Sequence, residues 1–483
     1  MTTTEPTTNK LIQPLNYEEA ISAAGVGRFH YYLLATCGLA FMATATEVPG
    51  LSIIILAAKC DLKFSLQEQG FLASAGFCGI LISCQFMGYL SDKYGRVKIM
   101  RTSLMLALSC SLCSVFSVNT IMLISLRFLT GLFIAGNQAA FSLMAEYHGR
   151  ESRAKHLTFL AAFLVLGSFY FRIMATIVLP LKAFVSTWRL LLIIHAVPTA
   201  ISSIGLILVP ESPKFLLEKG RQEECLQTLK EIHAINTKNT AEIYKCDFIE
   251  HKVDTTKANS NFLTNTMELF KMEHLLLTLN LSITAFIITF VSGGIMMWLP
   301  LILSKLVQHK YKAYSVCGTL ALDNTTTADG CVAGQEIDLA PYRILAIIGF
   351  FTLILYILTS FIVSNFGRKG ILAMWLSIAG NFTMMLYWST FYYINIAAFT
   401  SIIQTAGMIG IVYGMASEYY PTCINSTGVG FVMVISRLGS VCGSYVLGPL
   451  LYSHCDIMFL VYGGLLGFII ILVVMLPNKK DLE

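Results

Sequence analysis

Twelve apolar runs mark the chain, at 31–57, 70–90, 99–118, 121–145, 157–180, 190–209, 275–303, 343–363, 371–389, 394–417, 428–452 and 456–476. Crossing a hydrocarbon layer about 30 Å thick takes about 20 residues of helix, and the runs are of that order. They are continuous in Leu, Ile and Phe and do not alternate in polarity, so they close their backbone hydrogen bonds as helices and not as barrel strands. The expected fold class is an all-α membrane protein with twelve transmembrane helices in two pseudo-symmetric six-helix bundles. Polar stretches set its divisions: a leading segment 1–30, one bundle over 31–209, a central loop 210–271, a second bundle over 272–476 with a long loop at 304–342, and a tail 477–483. In the central loop Cys225, Leu226, Leu229 and Ile232 recur at helical spacing, which predicts an amphipathic surface helix over 221–234.

Composition agrees: 55% of the 483 residues are hydrophobic and 13% charged, against roughly 25% charged in soluble domains. An ordinary soluble enzyme is excluded. Of the 33 Lys and Arg, 22 fall on one side, with both termini and the central loop, and eight on the opposite loops. Cationic side chains are retained on the cytoplasmic side, so both termini are expected there. The net charge of +5 thus reports topology and calls for no nucleic acid. The polar start does not read as a cleaved signal peptide, and the first apolar run is expected to stay. Cys317 and Cys331 bracket a polar stretch with the sequon Asn324-Thr325-Thr326, which points to a disulfide and a glycan on an extracytoplasmic loop. Connectivity does not follow from sequence, so free thiols beside an unused sequon remain the alternative. No phosphate-binding Gly-Lys-Ser/Thr loop, zinc-spaced His/Cys cluster or Gly-x-Ser-x-Gly turn occurs. A nucleotide-driven pump, a metal, a cofactor and an enzyme are therefore not expected.

The halves echo each other at an offset of 272 residues: Gly95-Arg96 with Gly367-Arg368, Glu146-Tyr147 with Glu418-Tyr419, and Leu166-Gly167-Ser168 with Leu438-Gly439-Ser440. Duplicated halves of this kind place a transport site between them near the midplane. The loop Gly88-Tyr89-Leu90-Ser91-Asp92-Lys93-Tyr94-Gly95-Arg96-Val97-Lys98 resembles the signature loop of the major facilitator superfamily. In that loop Gly88 permits close approach of a helix, Asp92 faces the positive end of a helix dipole, and Arg96 pairs with a carboxylate, latching the cytoplasmic side in one state. The resemblance implies a network with Glu146 and Arg153. Pro210-Glu211-Ser212-Pro213 resembles the motif after the sixth helix of sugar porters and organic ion transporters, which adds Glu211. In the second half Ser360, Ser364 and Asn425 stand opposite Gly88, Asp92 and Arg153. Only Arg368 and Glu418 remain charged, with Arg437 expected to brace the inner gate. Tyr17-Glu18-Glu19-Ala20, the stretch Gly25-Val26-Gly27-Arg28-Phe29 and residues 220–236 resemble the synaptic vesicle glycoprotein (type two) branch. That branch carries Asp and then Glu in its first helix, where this chain has Thr44 and Glu47.

An ionisable group inside a membrane helix costs about 2.5 to 3.5 kcal/mol on insertion scales, so each is a candidate for function. Thr44 and Glu47 share a small, polar face of the first helix. Glu47 reads either as a coupling-proton carrier or as a structural hydrogen-bond partner. Asn137 and Gln138 on the fourth helix, Arg172 on the fifth, Asn280 and Trp298 on the seventh, and Gln404 and Tyr413 on the tenth complete the expected binding set. Arg172 pairs with Glu47 or binds an anionic substrate. Arg127 either faces the cavity or snorkels to headgroups, and His195 reads as packed. Together these predict a secondary active or facilitative transporter of small organic solutes by alternating access, monomeric, in the plasma membrane or a vesicle membrane. The rival is a receptor or scaffold that keeps the fold and a pocket without transport, motivated by the missing Asp and the sparse second latch.

Overall fold

The computed structural model describes residues 15–181, 186–237, 249–250, 266–308, 315–323, 338–421 and 424–476. The twelve apolar runs are twelve helices. The first six are α1 (Arg28–Leu62), α2 (Leu66–Tyr94), α3 (Arg96–Phe116), α4 (Thr120–Glu146), α5 (Arg150–Val178) and α6 (Thr187–Gly205). They are followed by α7 (Met272–Gln308), α8 (Ala340–Phe366), α9 (Arg368–Met385), α10 (Tyr392–Tyr419), α11 (Asn425–Ser453) and α12 (Cys455–Met475). Several overrun their apolar stretches because polar flanks continue the helix. At α2, for example, Ser65 and Glu68 exchange capping hydrogen bonds, Glu68 N to Ser65 Oγ at 3.2 Å and Ser65 N to Glu68 Oε2 at 2.8 Å. Among the described residues eleven helices are long and apolar enough to cross a membrane. The exception is α9, whose 18 residues begin with Arg368 and Lys369; it packs on α10 and α12 as α3 packs on α4 and α6.

Two helices are interrupted. The first part of α1 ends at Glu47 and the second begins at Leu51, because Pro49 lacks the amide hydrogen that the ladder needs. In α4, Ala135–Gln138 tightens to a 3-10 turn. Both interruptions fall beside the candidate residues.

Helix pairing carries the duplication. In the first half α1 packs on α5 and α6, α3 on α4 and α6, and α2 on α4. The second half repeats every pair with six added to each number. A Cβ on Gly167 would lie 2.8 Å from the Met42 carbonyl oxygen of α1, and one on Gly439 would lie 2.4 Å from that of Phe286 in α7. The duplicated glycine is what lets α5 and α11 lie against their partners. Between halves, α2 runs along α11, α5 along α8, and the Leu51–Leu62 part of α1 touches α7.

The turns α2–α3, α4–α5, α8–α9 and α10–α11 and the linker from α6 to α7 lie at one end, the basic face. On it a helix Gln222–Thr237 buries Cys225, Leu229 and Ile232. At the opposite end Cys317, on the short helix Val316–Asp323, is bonded to Cys455 at the start of α12, with the Cα atoms 5.6 Å apart. This corrects the expected Cys317–Cys331 pair. The Val316–Asp323 helix packs on α7 and α11, so a cysteine 138 residues away becomes the near neighbour. Cys60, at the same end, is also disulfide-bonded. Cys331 and Asn324 lie outside the described residues.

Peptide mapping without reductant should recover a Cys317–Cys455 cross-linked peptide, and Cys455→Ser should free Cys317 for alkylation. A Cys317–Cys331 peptide in its place would overturn this assignment.

Candidate functional site

The interruption of α1 leaves Glu47 at a helix end, where its carboxylate meets two other helices. Arg127 Nη1 of α4 donates to Glu47 Oε2 at 2.9 Å, and His195 Nδ1 of α6 lies 3.2 Å from the same oxygen. Arg127 Nη2 reaches Ser114 Oγ at 2.5 Å and Ser111 Oγ at 3.3 Å, both contributed by α3. All three ionisable side chains are at most 1% exposed. Phe171 of α5 closes the cluster, its ring edge-on to His195 at 5.0 Å. An ionised carboxylate is tolerated in such a place only if paired and hydrogen-bonded. Here the pairing is incomplete: Glu47 Oε1, Arg127 Nε and His195 Nε2 are buried without partners. A carboxylate touching both a guanidinium and an imidazole, with one oxygen spare, can accept a proton and exchange it with the neighbouring ring.

The sequence singles out Glu47 and leaves its partner open. Arg172 does not pair with Glu47; Arg127 does, pointing inward and not snorkelling. His195 is packed, as expected, and also bonded to the carboxylate. Depth narrows the choice without making it: Arg127 and His195 lie seven and eight residues into helices that start at the same end, and Arg172 lies six residues from that end of α5, all about 9 to 12 Å deep at 1.5 Å per residue.

The remaining candidates divide. Asn137 Nδ2 donates to the Ala40 carbonyl at 2.8 Å and to Thr44 Oγ1 at 3.1 Å, joining α4 to α1. Gln138 is half-buried. Asn280 turns to α12, donating to the Leu472 carbonyl at 2.8 Å. Trp298 Nε1 donates to the Ser444 carbonyl of α11 at 2.8 Å, with its ring over Gly448. Both residues are therefore engaged within the second half. Gln404 is buried with both amide atoms unpartnered. The Tyr413 hydroxyl bonds to Ser436 Oγ, and Arg437 acts electrostatically on Tyr413 and on Cys84 of α2. Arg437 thus sits at the seam of the halves. Arg172 is buried against Gly349 of α8.

Among the described residues each ion pair on the basic face stays within one half. Arg96 Nη2 lies 2.7 Å from Glu146 Oε1, and 272 residues on, Arg368 Nη1 lies 2.9 Å from Glu418 Oε1. Glu211 accepts from the backbone amides of Val97 at 2.9 Å and Lys98 at 3.1 Å, holding the N-terminus of α3. The carboxylate lies under Gly95, where φ is 111° and a Cβ would come within 2.5 Å of Oε2. Arg153 bonds not to Glu146 but to Glu18 Oε1 at 2.7 Å, because the helix Tyr17–Ala23 docks on the α4–α5 turn. Asp92 is 73% exposed, 3.6 Å from Arg96, and nothing lies within 4 Å of a Cβ placed on Gly88. The close helix approach expected at Gly88 is not made in this conformation. His148 sits between His30, edge-on at 4.6 Å, and His156, tilted at 4.1 Å, and burial pushes its pKa down to about 3.

The family model of the Major Facilitator Superfamily matches residues 33–322. Synaptic vesicle 2-related protein of Pongo abelii is 26% identical over 449 residues, covering 92% of this chain and 78% of that protein. Synaptic vesicle glycoprotein 2B of Mus musculus is 30% identical over 257 residues, which is 51% of this chain but 38% of that protein's length. A crystal structure of a D-xylose-proton symporter superposes with a TM-score of 0.67 at 14% identity, covering 94% of this chain and 98% of that one; at this identity the likeness is one of fold.

Two outcomes are expected. Glu47→Gln strips Arg127 of its carboxylate and should cost about 3 to 5 kcal/mol, read as a lower melting temperature in detergent, while Glu47→Leu combined with Arg127→Leu should regain most of it. A double variant as unstable as the two single losses added would remove the pair from the account. His148 takes up a proton near pH 6.5 when unfolded but resists it to about pH 3 when folded, so its contribution is full above pH 6.5 and is lost as the pH falls below that. Melting temperature should thus drop less steeply between pH 6.5 and pH 4.5 in His148→Gln than in the wild type; equal slopes would contradict the assignment.

Proposed function

Because the chain belongs to the major facilitator superfamily, we propose that it is a secondary transporter of small organic solutes that works by rocking its two halves and is driven by protons bound at Glu47. The observation that carries this reading is the sealed cluster of Glu47, Arg127 and His195, with an unpartnered atom on each residue. Protonating Glu47 removes the charge that holds Arg127 and thereby loosens α1 from α4 and α6. Since α1 also touches α7 through Leu51–Leu62, the protonation state of one carboxylate reaches the contact between halves. That is the differential interaction an alternating-access cycle needs.

The conformation supports a state open at the basic face. Among the described residues the first-half latch is bonded only within its own half, Asp92 is exposed and Gly88 is unopposed, while α1 meets α7 toward the disulfide end. Retention of cationic loops on the cytoplasmic side makes the basic face cytoplasmic, and the disulfides then lie on the oxidising side. The relatives' names favour a vesicle membrane.

Proteoliposomes holding the full chain, screened with a solute panel under an inward pH gradient, test the proposal. At least one solute should accumulate in the wild type. In Glu47→Gln the gradient-driven accumulation should fall to equilibrium level while solute-for-solute exchange persists. Equal concentrative uptake by the two proteins would exclude Glu47 as the coupling group, and ligand binding with neither uptake nor exchange would favour a receptor.

A further inference from the structure

Three arginines lie more than five residues from either end of a membrane helix, and two have evident company: Arg127 has Glu47 and two serines, and Arg437 has Tyr413 beside it. Arg172 is different. The residue is 7% exposed, yet among the described residues it makes no ion pair and no hydrogen bond. It stands on α5 at the seam, with Nη1 2.9 Å from where a Cβ on Gly349 of α8 would be. The space around it is a narrow gap walled from both halves by Gly50 and Ser52 of α1, Ser168 of α5, Met296 of α7 and Leu345 of α8. Two of those walls carry hydroxyls, and Ser168 lies one helical turn before Arg172 on the same face.

A guanidinium does not give up its proton in a protein, so it cannot escape burial by becoming neutral. Taken from water alone it costs several kcal/mol, and the cost is offset when an anion comes with it in good geometry. The gap is walled by both halves, so parting them uncovers Arg172 and rejoining them buries it.

We infer that Arg172 is the recognition point for the negative group of the solute, and that this transporter carries organic anions bearing a carboxylate or sulfonate. The inference rests on the transport reading above and adds the charge of the cargo. Closing the seam on an empty site buries a lone cation, whereas closing it on a bound anion buries a hydrogen-bonded pair, so occupancy itself favours closure. Ser52 and Ser168 border the same gap, each hydroxyl donating to a carbonyl of its own helix, Pro49 at 2.8 Å and Leu164 at 3.4 Å. Gly349 leaves the guanidinium room against the α8 backbone.

The test uses the purified full chain in detergent at neutral pH, with matched probes: benzoate and benzamide, nicotinate and nicotinamide, lactate and lactamide, gluconate and glucose. At least one acid should raise the melting temperature at concentrations at which its neutral counterpart does nothing. Arg172→Gln should weaken that acid by about ten-fold or more, and Arg172→Lys by less, as expected when a charged hydrogen bond is lost or merely reshaped. Without any acid, Arg172→Gln should be at least as stable as the wild type, since it removes an uncompensated charge; marked destabilisation would mean that the guanidinium is structural and would overturn the inference. So would an acid that stabilises Arg172→Gln as well as the wild type, or a panel in which no acid outperforms its neutral partner. Proteoliposome uptake separates this failure from that of the underlying reading. A neutral solute that accumulates by way of Glu47 leaves the transporter standing and removes the anion, whereas an acid that binds by way of Arg172 and never crosses does the reverse.

Discussion

Hydrocarbon offers no hydrogen bonds, and that shortage governs every polar atom in this chain. Backbone groups answer it by forming helices. Side chains answer it by meeting one another, and those inside the spans are consequently few and arranged in clusters. Asn137 reaches across to Ala40 and Thr44, Asn280 to Leu472, and Trp298 to Ser444, each joining two helices of one half. The ionisable groups face the same demand at a higher cost. Glu47, Arg127 and His195 meet it almost completely, and the few atoms left over are where chemistry has room to occur. Arg172 does not meet it at all within the protein. Saturated groups build the halves, and under the proposed transport reading the unsaturated ones are left for the cargo and its driving ion.

The duplication shows which parts of the plan are structural. Both halves keep the glycine that brings α5 to α1 and α11 to α7, and both keep the arginine to glutamate pair beneath the helix turn on the basic face. These features hold a six-helix bundle together and were retained twice. Arg127 and His195 have no charged counterparts 272 residues on, where Phe399 and Gly467 stand, and in α7, where Phe286 takes the place of Met42 against the duplicated glycine, the position matching Glu47 is Val291. The unrepeated residues are those whose interactions do more than pack helices.

Much of this was legible beforehand and some was not, for reasons that differ by residue. Segment number follows from hydropathy, because lipid imposes a length, and the half boundary follows from the fixed offset. Glu47 stands out because a carboxylate in an apolar run has no other excuse. Its partner does not follow: Arg127 and Arg172 are both single charges on apolar helices, and only the packing of α1 against α4, with the interruption at Pro49, decides between them. The interruption itself was written in the sequence at Pro49-Gly50, within a run that hydropathy alone treats as unbroken. Cys317 illustrates the opposite case. Nearness along the chain favoured Cys331, but the fold of the second half brings Cys455 to it. The helical turn around Cys225 was visible as spacing, whereas what that helix binds was not.

What it binds is the beginning of α1. Asn236, at the far end of the linker helix, donates to the Gly25 carbonyl at 2.8 Å and accepts from the Phe29 amide at 3.2 Å, while Tyr17 and Glu18 reach the end of α4 and the start of α5. Two stretches that stood apart in the sequence thus form one collar around the root of the helix that carries Glu47. Whatever grips that collar, be it a binding protein, a phosphate added nearby or a fused tag, holds a lever on the helix that carries Glu47 without ever entering the membrane.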